Sequence, residues 1–138
     1  MGEKIGIIGS GGWGIALAIL LNKLNHKIYL WEPFKENFKI LSKLRENITY
    51  FKGVKIPKEV EITNSLEEVF NNVGILIIVV RSSFFRKTIK KIKEFYKNQV
   101  IIIGTKGLEF NTGKRMSEIF SEYIKTNNFA VLSGPTIA

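Results

Sequence analysis

Six residues near the start of the chain form a glycine-rich turn between two apolar segments. The turn reads Gly9-Ser10-Gly11-Gly12-Trp13-Gly14; residues 5–8 before it have the pattern of a buried strand, and residues 15–24 after it that of a helix. A G-x-G-x-x-G spacing at a strand-to-helix junction is typical of folds that hold the pyrophosphate of a dinucleotide. There Gly9 permits a tight bend, Gly11 lets backbone approach the phosphates, and Gly14 lets the helix pack close to the sheet. The helix start adds free N–H groups and a partial positive charge that favour an anion.

An acidic residue ends the next predicted strand, at residues 27–32. Glu32 follows the glycines by about 20 residues, the spacing at which a carboxylate binds the hydroxyls of an adenosine ribose. The alternative is an ordinary glycine turn followed by a solvated acid with no ligand. Because the turn and the acid occur together in one strand–helix–strand unit, the sequence favours dinucleotide binding.

Strands and helices alternate along the whole chain. Apolar, β-branched segments predict strands at residues 5–8, 27–32, 60–63, 74–80, 100–103 and 129–132, with helices between them. Ser65-Leu66-Glu67-Glu68 has the pattern of a capping box. With right-handed crossovers, this order predicts an α/β fold, a doubly wound parallel sheet of Rossmann type in a single domain. Ligands bind such sheets at the carboxyl ends of the strands, so the turns at residues 9–14, 32–34, 81–84, 105–107 and 133–138 are expected along one edge.

Composition limits the other function classes. The chain has 138 residues, of which 45% are hydrophobic, and it has no cysteine and a single histidine. These counts predict one globular domain without disulfides, a thiolate metal site or a Ser–His–Asp triad, and no metal is expected. The sequence shows neither a signal pattern nor an apolar run near the ~18 residues of a membrane span, so we expect a cytoplasmic protein.

The formal net charge of +9 raises the question of nucleic-acid binding. Many of the basic residues fall on the polar side of one predicted helix: Arg86, Lys87, Lys90, Lys91, Lys93 and Lys97. No stacking aromatics are interleaved with them, which favours a solvated helix face over a nucleic-acid surface. A positive field also attracts an anionic cofactor or a phosphorylated substrate.

Four segments, in the same order along the chain, resemble one enzyme family. They are the glycine turn with Ala16-Leu17-Ala18; Arg45-Glu46-Asn47 with Tyr50, Gly53 and Pro57; Thr105-Lys106-Gly107-Leu108-Glu109; and Leu132-Ser133-Gly134-Pro135-Thr136-Ile137-Ala138. Together they resemble the N-terminal cofactor domain of NAD(P)-dependent glycerol-3-phosphate dehydrogenases. The tryptophan inside the turn, the Lys-Gly pair and the Ser-Gly-Pro segment are jointly specific.

The resemblance implies a reaction and a set of site residues. The family reduces dihydroxyacetone phosphate reversibly to sn-glycerol 3-phosphate by hydride transfer from a nicotinamide, which supplies a phospholipid precursor. By resemblance, the cofactor contacts are Gly9, Ser10, Gly11, Gly12, Trp13, Gly14, Glu32, Phe84, Lys106 and Ala138, and the substrate contacts are Lys106, Gly134 and Thr136. A lysine beside a ketone stabilises developing negative charge on its oxygen, and it suits a phosphate as a point charge.

Three residues depart from the family pattern. Gly12 stands where many members have serine or asparagine, which removes a side-chain contact and leaves the backbone donors. Arg81 replaces the usual proline, and either reaching a phosphate or altering the turn is compatible with the sequence. Glu32 stands where an acid is unusual; because a carboxylate accepts ribose hydroxyls but repels a 2′-phosphate, we expect NAD to be preferred over NADP. That expectation requires Glu32 to face the ribose.

The last segment ends without a closing helix, and residues 1–138 are therefore expected to be the dinucleotide-binding domain of a longer enzyme. By resemblance, the proton-donating lysine belongs to a C-terminal helical domain that this chain lacks. We thus expect no catalytic residue here, and binding of cofactor without turnover. Without that domain an apolar patch near the last strand would be exposed, through which the chain can form a homodimer.

Other interpretations of the same residues remain open. Packing alone is the alternative for Trp13 and Phe84, a helix cap for Thr136 and a solvated loop for Lys106. At the level of function, one alternative is a nucleotide-sensing regulatory domain without catalysis, and another is a dehydrogenase of a different hydroxyacid or of a sugar nucleotide.

Overall fold

A computed structural model describes residues 2–134 of the chain, and strands alternate with helices throughout that part. The strands are β1 (Lys4–Ile8), β2 (Lys27–Trp31), β3 (Glu61–Thr63), β4 (Ile75–Ile78), β5 (Val100–Ile103) and β6 (Phe129–Val131). The helices are α1 (Gly12–Lys23), α2 (Lys35–Leu44), α3 (Leu66–Asn72), α4 (Ser82–Phe95) and α5 (Met116–Tyr123). Every predicted element is present, but α1 begins at Gly12, three residues before the predicted start, and β4 is shorter at both ends than the apolar segment at residues 74–80.

All six strands lie in one parallel sheet with the order β3-β2-β1-β4-β5-β6. β1 is central: Ile5 pairs with Ile28 of β2 on one side and with Ile75 of β4 on the other. The order reverses between β1 and β4, which is the point where a doubly wound sheet opens a crevice for a ligand. The predicted fold class, a doubly wound parallel sheet of Rossmann type, is therefore confirmed.

The sheet separates two apolar layers. On one face α3, α4 and α5 pack through fully buried side chains such as Val69, Phe85 and Ile119. On the other face α1 and α2 contribute Ile15, Ala18 and Leu41. Because helices cover both faces of the sheet, the strands are apolar on both sides, as is typical of central parallel strands.

The capping box predicted at α3 forms only in part. The Glu68 N–H donates to the Ser65 hydroxyl at 3.1 Å, as a box requires. The Glu68 carboxylate instead accepts from the Thr63 hydroxyl, and the Ser65 N–H donates to that hydroxyl at 3.1 Å. Thr63 at the end of β3 thus bridges the Glu68 carboxylate and the Ser65 N–H, which contact each other directly in a complete box.

Arg86 does not lie on a solvated helix face, contrary to the sequence interpretation. Its guanidinium binds both carboxylate oxygens of Glu109, at 2.6 and 2.8 Å, and also contacts Glu122 and the Tyr123 hydroxyl. Hydrogen bonds from Arg86 lower the pKa of Glu109 and of Glu122 to about 2 in each case. The network joins α4 and α5 to the segment that follows β5.

Candidate functional site

The glycine turn has the geometry that its spacing predicts. Gly9 has φ of +123°, a conformation that side chains rarely adopt, and a Cβ added to Gly14 would lie 1.9 Å from the Gly9 carbonyl oxygen. A Cβ added to Gly11 would meet no atom within 4 Å. Gly11 is also the N-cap of α1, without a side-chain cap. Gly11 therefore presents no steric obstacle beside the first N–H groups of α1, which have no acceptor within the helix, and the turn fits a phosphate.

The segment between α2 and β3 covers one side of this turn. The Asn47 side-chain amide donates to the Ser10 carbonyl at 2.8 Å. The Tyr50 carbonyl oxygen lies close enough to Gly12 that an added Cβ would be 3.2 Å from it. The sequence analysis includes Asn47 and Tyr50 in the family resemblance but predicts no contact between them and the turn, because a contact over this separation leaves no periodic signal.

A cleft of about 380 Å³ opens beside the turn, toward β2. Its walls come from the glycine turn, the β2–α2 turn, the start of α2, residues 46–50 and the start of α4. Phe34 and Phe84 face each other in it, with ring centres 5.9 Å apart and planes at 70°. Phe84 is 43% exposed while its neighbour Phe85 is fully buried, so the cleft residue and the core residue are distinct. Phe34 was not identified from the sequence as a site residue.

Glu32 lines the same cleft and is only 5% exposed. One carboxylate oxygen accepts from the Phe34 N–H at 2.7 Å, and the other accepts from the Ser10 hydroxyl. A carboxylate has about four lone-pair sites, so two remain for other donors. The Ser10 hydroxyl is thereby directed at Glu32, which ties the acid to the glycine turn.

The remaining charged residues of the cleft differ in their pairing. The Glu46 carboxylate accepts from Lys55 Nζ and from the Gly53 N–H, each at 2.7 Å, and these bonds, the lysine's first, lower its pKa. The cationic wall residues are Arg81, Lys87 and Lys91. The Arg81 guanidinium lies 4.8 Å from the centre of the Tyr50 ring and donates to the Tyr50 hydroxyl. Basic side chains thus face a cleft whose acids already have partners.

A second group of predicted residues lies on the other side of the turn, toward β5. Lys106 Nζ is 6.0 Å from the centre of the Trp13 ring, and a Cβ added to Gly104 would be 3.6 Å from the Trp13 indole nitrogen. Lys106 is exposed, and the following Gly107 has φ of +96°. The structure thus brings Trp13 and Lys106 together, and neither of them lines the cleft that contains Glu32 and Phe84.

The third predicted group is described only in part. Gly134 is exposed and follows β6 at the same edge of the sheet as the other turns. Thr136 and Ala138 lie outside the described residues. Within residues 2–134 there is no cluster of three His, Cys, Asp or Glu side chains suited to a metal ion. The described helices are also too short or too polar to cross a membrane.

Comparisons with known proteins point to one enzyme family. Residues 4–138 match the model of a family described as NAD-dependent glycerol-3-phosphate dehydrogenase N-terminus. The chain is 42% identical to a glycerol-3-phosphate dehydrogenase [NAD(P)+] of Fusobacterium nucleatum and 43% identical to one of Thermoanaerobacter, each over 98% of this chain and 41% of the relative. The crystal structure of a glycerol-3-phosphate dehydrogenase from Coxiella burnetii superposes with a TM-score of 0.89 at 27% identity, over 99% of this chain and 42% of that one.

The chain therefore spans about two fifths of the length of these relatives. The match is continuous and covers both the glycine turn and the segment around Lys106. The chain belongs to the family of N-terminal domains of NAD-dependent glycerol-3-phosphate dehydrogenases.

Proposed function

We propose that this chain is the cofactor-binding domain of an oxidoreductase that interconverts dihydroxyacetone phosphate and sn-glycerol 3-phosphate. The observation that carries the proposal is the glycine turn, whose Gly11 faces open space beside the unpaired N–H groups of α1. A nicotinamide dinucleotide, when bound, supplies or accepts the hydride. The relatives are glycerol-3-phosphate dehydrogenases, which supports the same reaction for the whole enzyme. In this proposal its product is a precursor of phospholipids.

In this proposal, different residues bind different parts of the dinucleotide. The N–H groups at the start of α1 bind the pyrophosphate, since they carry a partial positive charge and lack acceptors within the helix. The edge-to-face pair of Phe34 and Phe84 offers apolar ring surface to the adenine. Trp13 and Lys106, on the β5 side of the turn, face the nicotinamide end.

Glu32 supports a preference for NAD over NADP. Two of its lone-pair sites remain to accept ribose hydroxyls, whereas a 2′-phosphate at that place would lie against a buried carboxylate. Repulsion between unit charges about 6 Å apart amounts to about 3 kcal/mol at an effective dielectric of about 20. That energy is sufficient for discrimination of tenfold or more between the two cofactors.

We assign Lys106 to the substrate as well as to the cofactor. It stands at the carboxyl end of β5 with its ammonium over the Trp13 ring, where it can hydrogen-bond a ketone oxygen or a phosphate. In this proposal Gly134 and Thr136 complete the substrate contacts, and Ala138 contacts the cofactor. The proton-donating lysine of the family belongs to a separate helical domain, so residues 1–138 bind the cofactor without turning over substrate.

Further proposals concern partners and location. We place the enzyme in the cytoplasm, without nucleic-acid partners. Val131 and Leu132 at the β6 edge are 55% and 48% exposed, which gives this domain an apolar surface for homodimer formation. A regulatory domain without catalysis is not favoured, because the family model and the named relatives are dehydrogenases.

Titration of the chain with NADH and with NADPH tests the proposal, with tryptophan fluorescence as the signal because Trp13 adjoins the turn. Saturable binding that favours NADH is expected. In the Glu32→Gln variant the preference for NADH should fall by about tenfold to hundredfold, because the charge that repels a 2′-phosphate is gone. Glu46→Gln is the matched control, since Glu46 lines the same cleft but is paired with Lys55.

Each result has a separate meaning. No binding of either nucleotide contradicts the dinucleotide assignment. Equal binding, or a preference for NADPH, keeps the assignment and refutes the role of Glu32. Turnover of dihydroxyacetone phosphate by the purified chain with NADH refutes the proposal that the proton donor lies elsewhere.

A further inference from the structure

Arg81 stands beside the glycine turn, at the carboxyl end of β4. A Cβ added to Gly9 would lie 3.0 Å from the Val79 carbonyl and 3.1 Å from the Val80 nitrogen, so the backbone of the turn rests directly on the two residues that precede Arg81. Arg81 itself lines the cleft with Gly9 and Gly11. The Arg81 side chain therefore extends from the backbone segment against which the glycine turn packs.

Tyr50 holds the guanidinium from the opposite wall. Tyr50 follows Asn47, whose amide binds the Ser10 carbonyl, and its own carbonyl lies against Gly12. The ring stacks on Arg81 at 4.8 Å and its hydroxyl accepts a hydrogen bond from it. The contact between Arg81 and Tyr50 thus spans the glycine turn and joins its two flanking segments.

The positive charge of the Arg81 guanidinium is available to a ligand in the cleft. A guanidinium has five N–H donors, and the bond to the Tyr50 hydroxyl uses one of them. Both acids of the cleft accept hydrogen bonds from groups other than Arg81: Glu32 from Ser10 and the Phe34 amide, Glu46 from Lys55 and the Gly53 amide. The turn itself has glycine at position 12, so it offers a phosphate backbone donors and no side-chain donor from that position.

We propose that Arg81 binds the pyrophosphate of the dinucleotide and that Tyr50 positions it for this contact. The inference rests on the proposed binding of a dinucleotide at the glycine turn. Arg81 supplies a charge-assisted, fork-shaped donor to the phosphates in addition to the N–H groups of α1. A planar guanidinium stacked on an aromatic ring is already ordered, so less side-chain entropy is lost when the ligand arrives.

The test compares three probes on the chain by NMR titration, which also measures weak binding. ADP-ribose carries the pyrophosphate, adenosine carries no phosphate, and 2′-AMP carries only a 2′-phosphate. In Arg81→Ala, ADP-ribose should bind about tenfold to hundredfold more weakly, the usual effect of losing a hydrogen bond to a charged group. Adenosine and 2′-AMP should change by less than about twofold, because neither has the group that Arg81 binds.

Control variants separate the contact from general charge and from folding. Lys93→Ala removes the same unit of charge from an exposed position of α4 outside the cleft, and should leave ADP-ribose binding within about twofold of wild type. Tyr50→Phe keeps the ring and removes the hydroxyl, and should weaken ADP-ribose by about threefold. Arg81→Lys keeps the charge without the fork, and should lie between wild type and Arg81→Ala.

Two results overturn the inference alone while the wild-type chain binds ADP-ribose: unchanged ADP-ribose affinity in Arg81→Ala, or an equal loss for adenosine. A loss confined to 2′-AMP also overturns it, because Arg81 would then bind a different phosphate. If the wild-type chain does not bind ADP-ribose, the proposed function fails and the inference fails with it.

Discussion

Replacing Gly14 with alanine tests whether the close approach of α1 to the glycine turn is needed for the fold. The added Cβ would lie 1.9 Å from the Gly9 carbonyl oxygen, whereas real Cβ contacts essentially never fall under 3.0 Å. Both atoms belong to backbone or are fixed to it, so no side-chain rotation relieves the overlap. The start of α1 and the turn have to separate by about 1 Å.

The expected loss of stability follows from two opposing terms. Overpacking of this severity costs about 3 kcal/mol. Alanine in place of glycine within a helix returns about 1 kcal/mol. The net loss of about 2 kcal/mol corresponds, for a domain of this length, to a melting temperature lower by about 8 °C.

Gly11→Ala is the matched comparison, because its added Cβ would meet nothing within 4 Å. An alanine at this N-cap position costs less than about 1 kcal/mol of stability. Its methyl group nevertheless projects toward the place proposed for the pyrophosphate, so NADH affinity should fall about tenfold or more.

Thermal and urea unfolding followed by circular dichroism measure the stability of both variants, and NADH titration measures binding. The two substitutions should have opposite profiles: Gly14→Ala mainly lowers stability and Gly11→Ala mainly weakens NADH binding. A melting temperature unchanged by Gly14→Ala would refute the packing argument, and wild-type NADH affinity in Gly11→Ala would refute the position proposed for the phosphates.

Three further predictions concern the pH dependence, a helix cap and the two adjacent phenylalanines. Hydrogen bonds from Arg86 lower the pKa of Glu109 to about 2 from an ordinary 4.5, so this pair contributes stability above pH 4.5 that is lost as pH falls toward 2. The Glu109→Gln variant should melt at a lower temperature at pH 7, and its stability should decline less steeply between pH 4.5 and pH 2. An unchanged pH profile of stability would contradict the pairing. Ser65→Ala removes the cap of α3 and should cost about 1 kcal/mol in urea unfolding, so a loss near zero would mean that Thr63 alone satisfies the helix end. Phe85→Ala should cost about 3–5 kcal/mol of stability because the ring is fully buried. Phe84→Ala should cost under about 1 kcal/mol of stability and should weaken adenosine binding. Similar unfolding midpoints for the two variants would show that the assignment of Phe85 to the core and of Phe84 to the cleft is incorrect.

The fold was predictable because its signals are local. A buried parallel strand is a short apolar run, and the glycine spacing at residues 9, 11 and 14 reports steric requirements of a single turn. The structure shows each requirement separately: a positive φ at Gly9, open space at Gly11 and backbone contact at Gly14. Local patterns therefore predicted the order of elements and the edge at which the site lies.

The contacts that were missed join distant parts of the chain. Arg86 has the spacing of a solvated lysine-rich face, and only the position of the segment after β5 gives it Glu109 as a partner. Tyr50 and Arg81 are likewise brought together by the sheet order, since β4 lies beside β1 and the segment after α2 covers the turn. Charge alone does not reveal such pairs, because a basic residue looks the same in sequence whether its partner is water or a carboxylate.

The strand order also has a consequence for how the chain folds as it is synthesised. β1 and β2 can pair early, but the second neighbour of β1 is β4, which begins only at Ile75. Until β4 emerges from the ribosome, the central strand presents a row of unpaired backbone donors and acceptors flanked by Ile5 and Ile7, two residues that are buried once the sheet is complete. Non-local parallel pairing of this kind is slow and exposes aggregation-prone edges. The nascent N-terminal half is therefore the stage at which this domain is most exposed to aggregation.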